Sequence, residues 1–161
     1  YVTDRLLSWQ DPEADIQDAT YQTYQSLVTI GSGGMFGLGL GNSRQKYGYV
    51  AEPQNDFIFT IVCEELGFIG ALSVIVLFIL LILRGYKIAS KAPDRFCSLV
   101  VYGLTTKTAL QALLNIAVVT NSMPNTGIAL PFFSSGGNAQ MIQVFEMGIV
   151  LSISRFSYVK K

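Results

Sequence analysis

Histidine is absent from this 161-residue chain, which removes a histidine-based triad and a histidine-ligated metal from consideration. Charge is scarce too. Lys and Arg number 11, Asp and Glu number 11, and together they make up 14% of residues, so no basic stripe is left over for a nucleic-acid backbone. Nucleic acid is therefore excluded as a partner. The two cysteines, Cys63 and Cys97, fall near opposite edges of apolar segments, and no disulfide is expected between them. Nothing in residues 1–56 resembles a signal peptide or a membrane span.

Apolar residues are plentiful and come in blocks. Hydrophobic residues make up 50% of the chain, and residues 66–83, LGFIGALSVIVLFILLIL, carry no charge at all. A run of about 18 such residues reads as a membrane span rather than a core strand or helix. Residues 98–120 and 128–153 form two further apolar blocks with a few polar interruptions, each long enough to cross ~30 Å of hydrocarbon at ~1.5 Å per residue. The expected fold is all-α: a polytopic membrane protein with three transmembrane helices here, an outer amphipathic helix and re-entrant loops.

The charges orient it. Arg84, Lys87, Lys91 and Arg95 crowd a loop at 84–97, and Arg155, Lys160 and Lys161 lie in the tail, so both belong in the cytoplasm by the positive-inside bias. Residues 1–56 then lie outside, as an extracellular loop ahead of a three-span region at 57–161 whose outer loop is 121–137. Delivering residues 1–56 to that side requires spans upstream of Tyr1.

Within the outer segment, Asp11-Pro12 with Glu13 and Asp15 reads as a helix start: an N-cap carboxylate, proline at N1, acids facing the dipole. Ile16, Ala19, Thr23, Tyr24, Leu27 and Ile30 recur at helical spacing as the apolar face of a helix lying along the bilayer, and Gly31 with Gly33-Gly34 supplies the stop. GSGGMFGLGLG at 31–41 follows. It has neither the spacing nor the preceding strand of a nucleotide-binding turn; its glycines let the backbone turn tightly while Met35, Phe36, Leu38 and Leu40 dip into lipid or protein, and a flexible connector is the plainer alternative.

Four charges fall inside the apolar blocks. Glu64 and Glu65 lie in the first, Lys107 in the second and Glu146 in the third, each costing at least ~2.5 kcal/mol if it faced lipid at mid-depth. They are expected to be structural and turned inward. Gly103, Lys107, Gln111 and Asn115 recur every four residues and put one polar stripe on the second span. Lys107 is expected to pair with Glu64, Glu65 or Glu146. The loop NSMPNTGIALPFFSSGGN at 121–138 holds two prolines and three glycines, and irregular backbone at membrane depth must be covered by protein or line a cavity. It opens on the same side as residues 1–56, which predicts a shared outer cavity.

Asp56 stands directly before Phe57-Ile58-Phe59, with Glu52 four residues earlier in AEPQND. Position alone allows two readings: Asp56 caps a helix that begins at Phe57, or it is a general base at a membrane interface.

The ordered run YQSLVTIGSGGMFGLGLGNSRQKYGYVAEPQNDFIFTIVCEELGFIG, followed by NSMPNTGIALPFFSSGGN, resembles the SEDS family of rod-shape, division and sporulation proteins (RodA, FtsW and SpoVE types). The likeness extends over residues 5–155 and implies that this is the C-terminal part of such a protein. Ala51, Asn55, Glu13 and Asn138 depart from the usual family residues. The resemblance implies a peptidoglycan glycosyltransferase of the bacterial plasma membrane that polymerises lipid II on the outer face beside a class B penicillin-binding protein. Asp56 matches the family's essential acid. Glu52, Arg44, Lys46, Ser134, Ser135, Gly136 and Gly137 are the substrate-binding candidates, with Arg44 and Lys46 for the diphosphate. Anchoring to anionic headgroups is the alternative for those two basic residues. A divalent cation, Mg or Mn, is the one cofactor Glu52 or Asp56 would admit. Competing roles are a lipid II flippase and a membrane scaffold for the penicillin-binding protein.

Overall fold

The computed structural model describes residues 19–42, 57–124 and 126–157, and among them all regular structure is helical. Four helices follow one another: α1 (Ala19–Ser32), α2 (Ile58–Ser90), α3 (Arg95–Val119) and α4 (Gly137–Ser157). Of these, α2 is long and apolar enough to cross a membrane on length and composition.

Helices α3 and α4 are less apolar because polar residues are spread along them. Thr105, Thr108 and Asn115 of α3 and Gln143 and Glu146 of α4 are buried, whereas Leu99, Leu110, Leu113, Met141, Ile142, Phe145 and Leu151 are exposed. Polar groups are inside and large apolar groups outside, the reverse of a water-soluble domain. The bundle is closed by two apolar clusters. Phe57, Phe59, Cys63, Ala71, Val74, Phe78, Ala112, Val119 and Leu130 form one. Ile88, Ala89, Val101 and Val150 form the other. Between the clusters α2 and α3 approach closely at Gly85, where a Cβ would lie 2.6 Å from Thr105 Cγ2. A small residue there lets the two backbones meet.

Several expectations change. Residues 84–97 are not one loop, since α2 continues through Arg84 and Lys87 to Ser90 and α3 resumes at Arg95. No helix breaker occurs before Pro93, so only 91–94 turn the corner, with Ser98 Oγ donating to the Ala89 carbonyl at 2.9 Å. The third apolar block is helical only from Gly137, because Pro131 and the glycines keep 128–136 irregular. On the outer helix, Tyr24 and Leu27 of the expected apolar face are exposed together with Val28, while Gln25, Ser26 and Thr29 are buried against the protein. Ser26 Oγ donates to the Val119 carbonyl at 3.2 Å, so α1 packs by hydrogen bonding across the end of α3. The Asp11-Pro12 start of that helix lies outside the described residues.

The glycine-rich segment is a structural clasp rather than a connector. Helix α2 is interrupted at Gly67, whose φ of 68° and ψ of −168° are not helical. The interruption frees two carbonyls and two amides, and the segment after α1 takes up all four. Leu38 and Gly39 amides donate to the Glu64 and Glu65 carbonyls at 2.9 and 3.0 Å, and Phe68 and Ile69 amides donate to the Gly34 and Met35 carbonyls at 2.9 and 3.4 Å. A broken helix at membrane depth is tolerable when its orphan groups are satisfied in this way.

Candidate functional site

A groove of about 460 Å³ opens where three segments meet, lined by Leu40 of the clasp, Ile58, Ile61, Val62, Glu65 and Leu66 of α2, and Phe133 and Ser135 of the outer loop. Ile58, Ile61, Val62 and Glu65 are one helical face, so the first turns of α2 form its floor. Its walls are apolar apart from one carboxylate and one hydroxyl. Such a lining suits a long hydrocarbon chain with a polar group at its end.

The outer wall is held in place by the polar stripe. Gln111 Nε2 donates to the Ala129 carbonyl at 3.0 Å and Asn115 Nδ2 to the Ile128 carbonyl at 2.7 Å. These bonds draw loop 121–137 back into the bundle, Leu130 and Pro131 are buried there, and the Phe133 ring packs at 6.2 Å from Phe78. Phe78 lies about three turns beyond Gly67, so the loop re-enters rather than lying flat on the surface. Asn121 and Phe132 adopt positive φ, 56° and 67°, at the two bends. The fold-back is what places Ser135 in the groove.

The predicted residues divide into two sets. Asp56, Glu52, Arg44 and Lys46 lie outside the described residues. The cap position of α2 is Phe57, which has no side-chain cap bond, one residue later than a cap at Asp56 requires. Ser134 is buried, Ser135 lines the groove, and Gly136 and Gly137 lead into the first turn of α4. Glu64 is buried at 1% exposure, and Glu65 is half-buried in the groove. Among the described residues no group of three or more Asp, Glu, His or Cys converges on one point, and Glu52 and Asp56, the carboxylates expected to hold a divalent cation, lie outside them.

Lys107 is paired with Glu146, one of the three expected partners, across α3 and α4. Beside it Gln143 Nε2 donates to Thr108 Oγ1 at 3.0 Å, and Thr108 in turn donates to the Leu104 carbonyl. A polar ladder therefore fastens α4 to the bundle. The pair is lopsided: the Lys107 side chain is 49% exposed and that of Glu146 11%. The lysine was expected inside and instead stands on the open flank of α3, where its long stem reaches the carboxylate from outside. Removing the lysine strands a buried carboxylate, whereas removing the acid leaves an ammonium that can find water. Lys107→Met should accordingly cost roughly 3 kcal/mol and Glu146→Gln roughly 1, read as thermal unfolding in detergent. Equal losses would mean that the pair is a surface contact.

The groove's apolar lining was not singled out from sequence, although Ile58, Ile61, Val62 and Glu65 carry the i, i+3, i+4, i+7 signal of a common face. Phe133 carried no such signal, since only the fold-back of the loop brings it there.

The chain matches the family described as "cell cycle protein", FtsW/RodA/SpoVE, over residues 1–159. It belongs to that family. It is 46% identical over 157 residues to stage V sporulation protein E of Bacillus subtilis (strain 168), covering 98% of this chain and 43% of that protein. It is also 40% identical over 154 residues to the probable peptidoglycan glycosyltransferase FtsW of Geobacter sp. (strain M18), covering 96% of this chain and 42% of that one. Among solved structures, one described as "structural coordination of polymerization and crosslinking by a peptidoglycan synthase complex" superposes with a TM-score of 0.76 at 28% identity, covering 96% of this chain and 42% of that one. The chain thus spans somewhat over two fifths of the length of the relatives it matches.

Proposed function

We infer that this FtsW/RodA/SpoVE-family chain is the part of a peptidoglycan glycosyltransferase that carries the catalytic acid and one wall of the lipid groove. The observation that carries the reading is the groove itself: the clasp, the outer loop and the first turns of α2 meet two residues after Asp56 in the sequence. Three helices, α2, α3 and α4, cross the bacterial plasma membrane, with polar groups turned inward and the groove on the outer face. Lipid II is the substrate, and a class B penicillin-binding protein is the partner.

In this reaction Asp56 accepts the proton of the acceptor sugar's 4-hydroxyl as that oxygen attacks the anomeric carbon of the donor, inverting α to β. The bond from that carbon to the prenyl diphosphate breaks, and the diphosphate leaves with the electron pair. A diphosphate is stable as an anion, so the site needs positive charge there rather than a second acid. Arg44 and Lys46 are the basic side chains for it, and Glu52 orients the acceptor sugar. A Mg or Mn ion is the cofactor Glu52 and Asp56 would admit.

Purified full-length protein supplied with lipid II should form glycan chains. Relocation of unreacted lipid II across the bilayer would favour a flippase instead, and neither outcome would favour a scaffold.

A further inference from the structure

Helix α4 begins with no acid in its first turn, and the turn before it contains a hydroxyl that has nothing to bond. Its 21 residues start at Gly137 without Asp or Glu in the first turn. The first amides of any helix have no intrahelical acceptor, and they carry the positive end of the helix dipole. Ser134 is 3% exposed, and its Oγ has no hydrogen-bond partner among the described residues. That oxygen lies beside the residue that precedes the helix, since a Cβ on Gly136 would lie 3.8 Å from it. A buried hydroxyl left without a partner is unfavourable, so the arrangement is complete only when an acceptor arrives.

The helix start is also recessed. The Gln143–Thr108 bond sets those residues level across α3 and α4. Counting from them to Val119 and to Gly137 at ~1.5 Å per residue puts the start of α4 roughly 7 Å beneath the end of α3. Next to it Ser135 lines the groove. An anion that reaches past Ser135 meets the exposed first turn of α4, and helix starts are ready-made phosphate sites.

We propose that the start of α4, with Ser134 Oγ and the backbone amides from Gly137 onward, seats the diphosphate of the prenyl-linked donor. This rests on the polymerase reading and deepens it. As the anomeric carbon–oxygen bond breaks, its electron pair passes to the diphosphate, and the added charge develops against the amides, while the acceptor's proton goes to Asp56. The apolar groove holds the prenyl chain.

The test uses full-length protein in phosphatidylcholine nanodiscs titrated with undecaprenyl diphosphate, undecaprenol and phosphatidylglycerol. Asn138→Asp places a carboxylate among the same amides at an exposed position. It should leave thermal stability unchanged or raised, because an acid in a first turn favours the helix, yet weaken undecaprenyl diphosphate about tenfold and undecaprenol not at all. Ser134→Ala should weaken the diphosphate about fivefold. Loss of stability together with loss of binding in Asn138→Asp would mean a merely structural turn and overturn the proposal. Unchanged diphosphate binding in Asn138→Asp, with lipid II still polymerised, would remove the seat and leave the polymerase reading standing. Phosphatidylglycerol competing as well as undecaprenyl diphosphate would mark an ordinary headgroup site and overturn it. Wild-type protein that neither binds the diphosphate nor makes glycan would overturn both.

Discussion

Asp56→Ala in the full-length protein should reduce glycan formation from lipid II by about a hundredfold or more while leaving insertion and thermal unfolding near wild type. General-base assistance is worth ~10²–10⁴ in rate, which sets the scale. Stability should be spared because α2 starts at Ile58 with Phe57 in the cap position, and its first turn is held by the Thr60 amide and hydroxyl bonding to the Phe57 carbonyl at 3.0 and 2.6 Å. A capping role predicts the opposite pattern, a loss of about 1 kcal/mol of stability with activity retained. Asp56→Asn separates the two readings most sharply. Asparagine caps as well as aspartate but cannot take a proton, so that variant should be as inactive as the alanine one. Full activity in either purified variant would defeat the assignment.

The second large effect is structural. Gly67→Ala should destabilise the protein by ~4 kcal/mol or more, at the exceptional end for a single substitution. The backbone at Gly67 lies in a region that essentially only glycine occupies, which alone costs about 1–3 kcal/mol for another residue. A Cβ there would also lie 2.7 Å from the Phe36 carbonyl carbon and 2.8 Å from that of Met35. Those atoms are backbone, so they cannot swing aside as a side chain would. The clasp must therefore leave the helix break, exposing the Glu64 and Glu65 carbonyls and the Phe68 and Ile69 amides together. Rapid hydrogen exchange at Phe68 and Ile69 would report that release directly. Gly103→Ala is the control, since its Cβ would meet nothing within 4 Å. It should change stability by no more than about 1 kcal/mol. Similar behaviour of the two variants would mean that the clasp contributes little.

These two glycines illustrate what can be read from sequence and what cannot. The polar stripe of α3 was legible because helical geometry converts a four-residue repeat into one face, and two of its members, Gln111 and Asn115, prove to be the groups that pull in the outer loop. The need for that loop to be covered followed from its prolines and glycines. Gly67, by contrast, is a single glycine beside a long apolar run, and one glycine inside a helical pattern is commonly tolerated. Its role comes from the segment at 34–39, whose contribution is backbone amides and carbonyls, which leave no side-chain signature. The packing of α1 has a related cause: the Ser26 and Thr29 hydroxyls are buried where they find carbonyl acceptors, which sorting by hydrophobicity alone does not show. The choice of Glu146 over Glu64 and Glu65 depended on how far α4 slides along α3, which is set by the Gln143–Thr108 bond and cannot be counted from either helix separately.

The most direct measurement concerns where residue 56 faces. With Cys63, Cys97 and every other cysteine of the full-length protein replaced, a single cysteine introduced as Asp56→Cys can be challenged in intact cells with a membrane-impermeant maleimide. Labelling from outside, slowed by added lipid II, is the result expected of an extracellular site that works on a lipid-borne sugar. Labelling only after the inner membrane is breached would put the carboxylate on the wrong side of the bilayer from its substrate and contradict the mechanism.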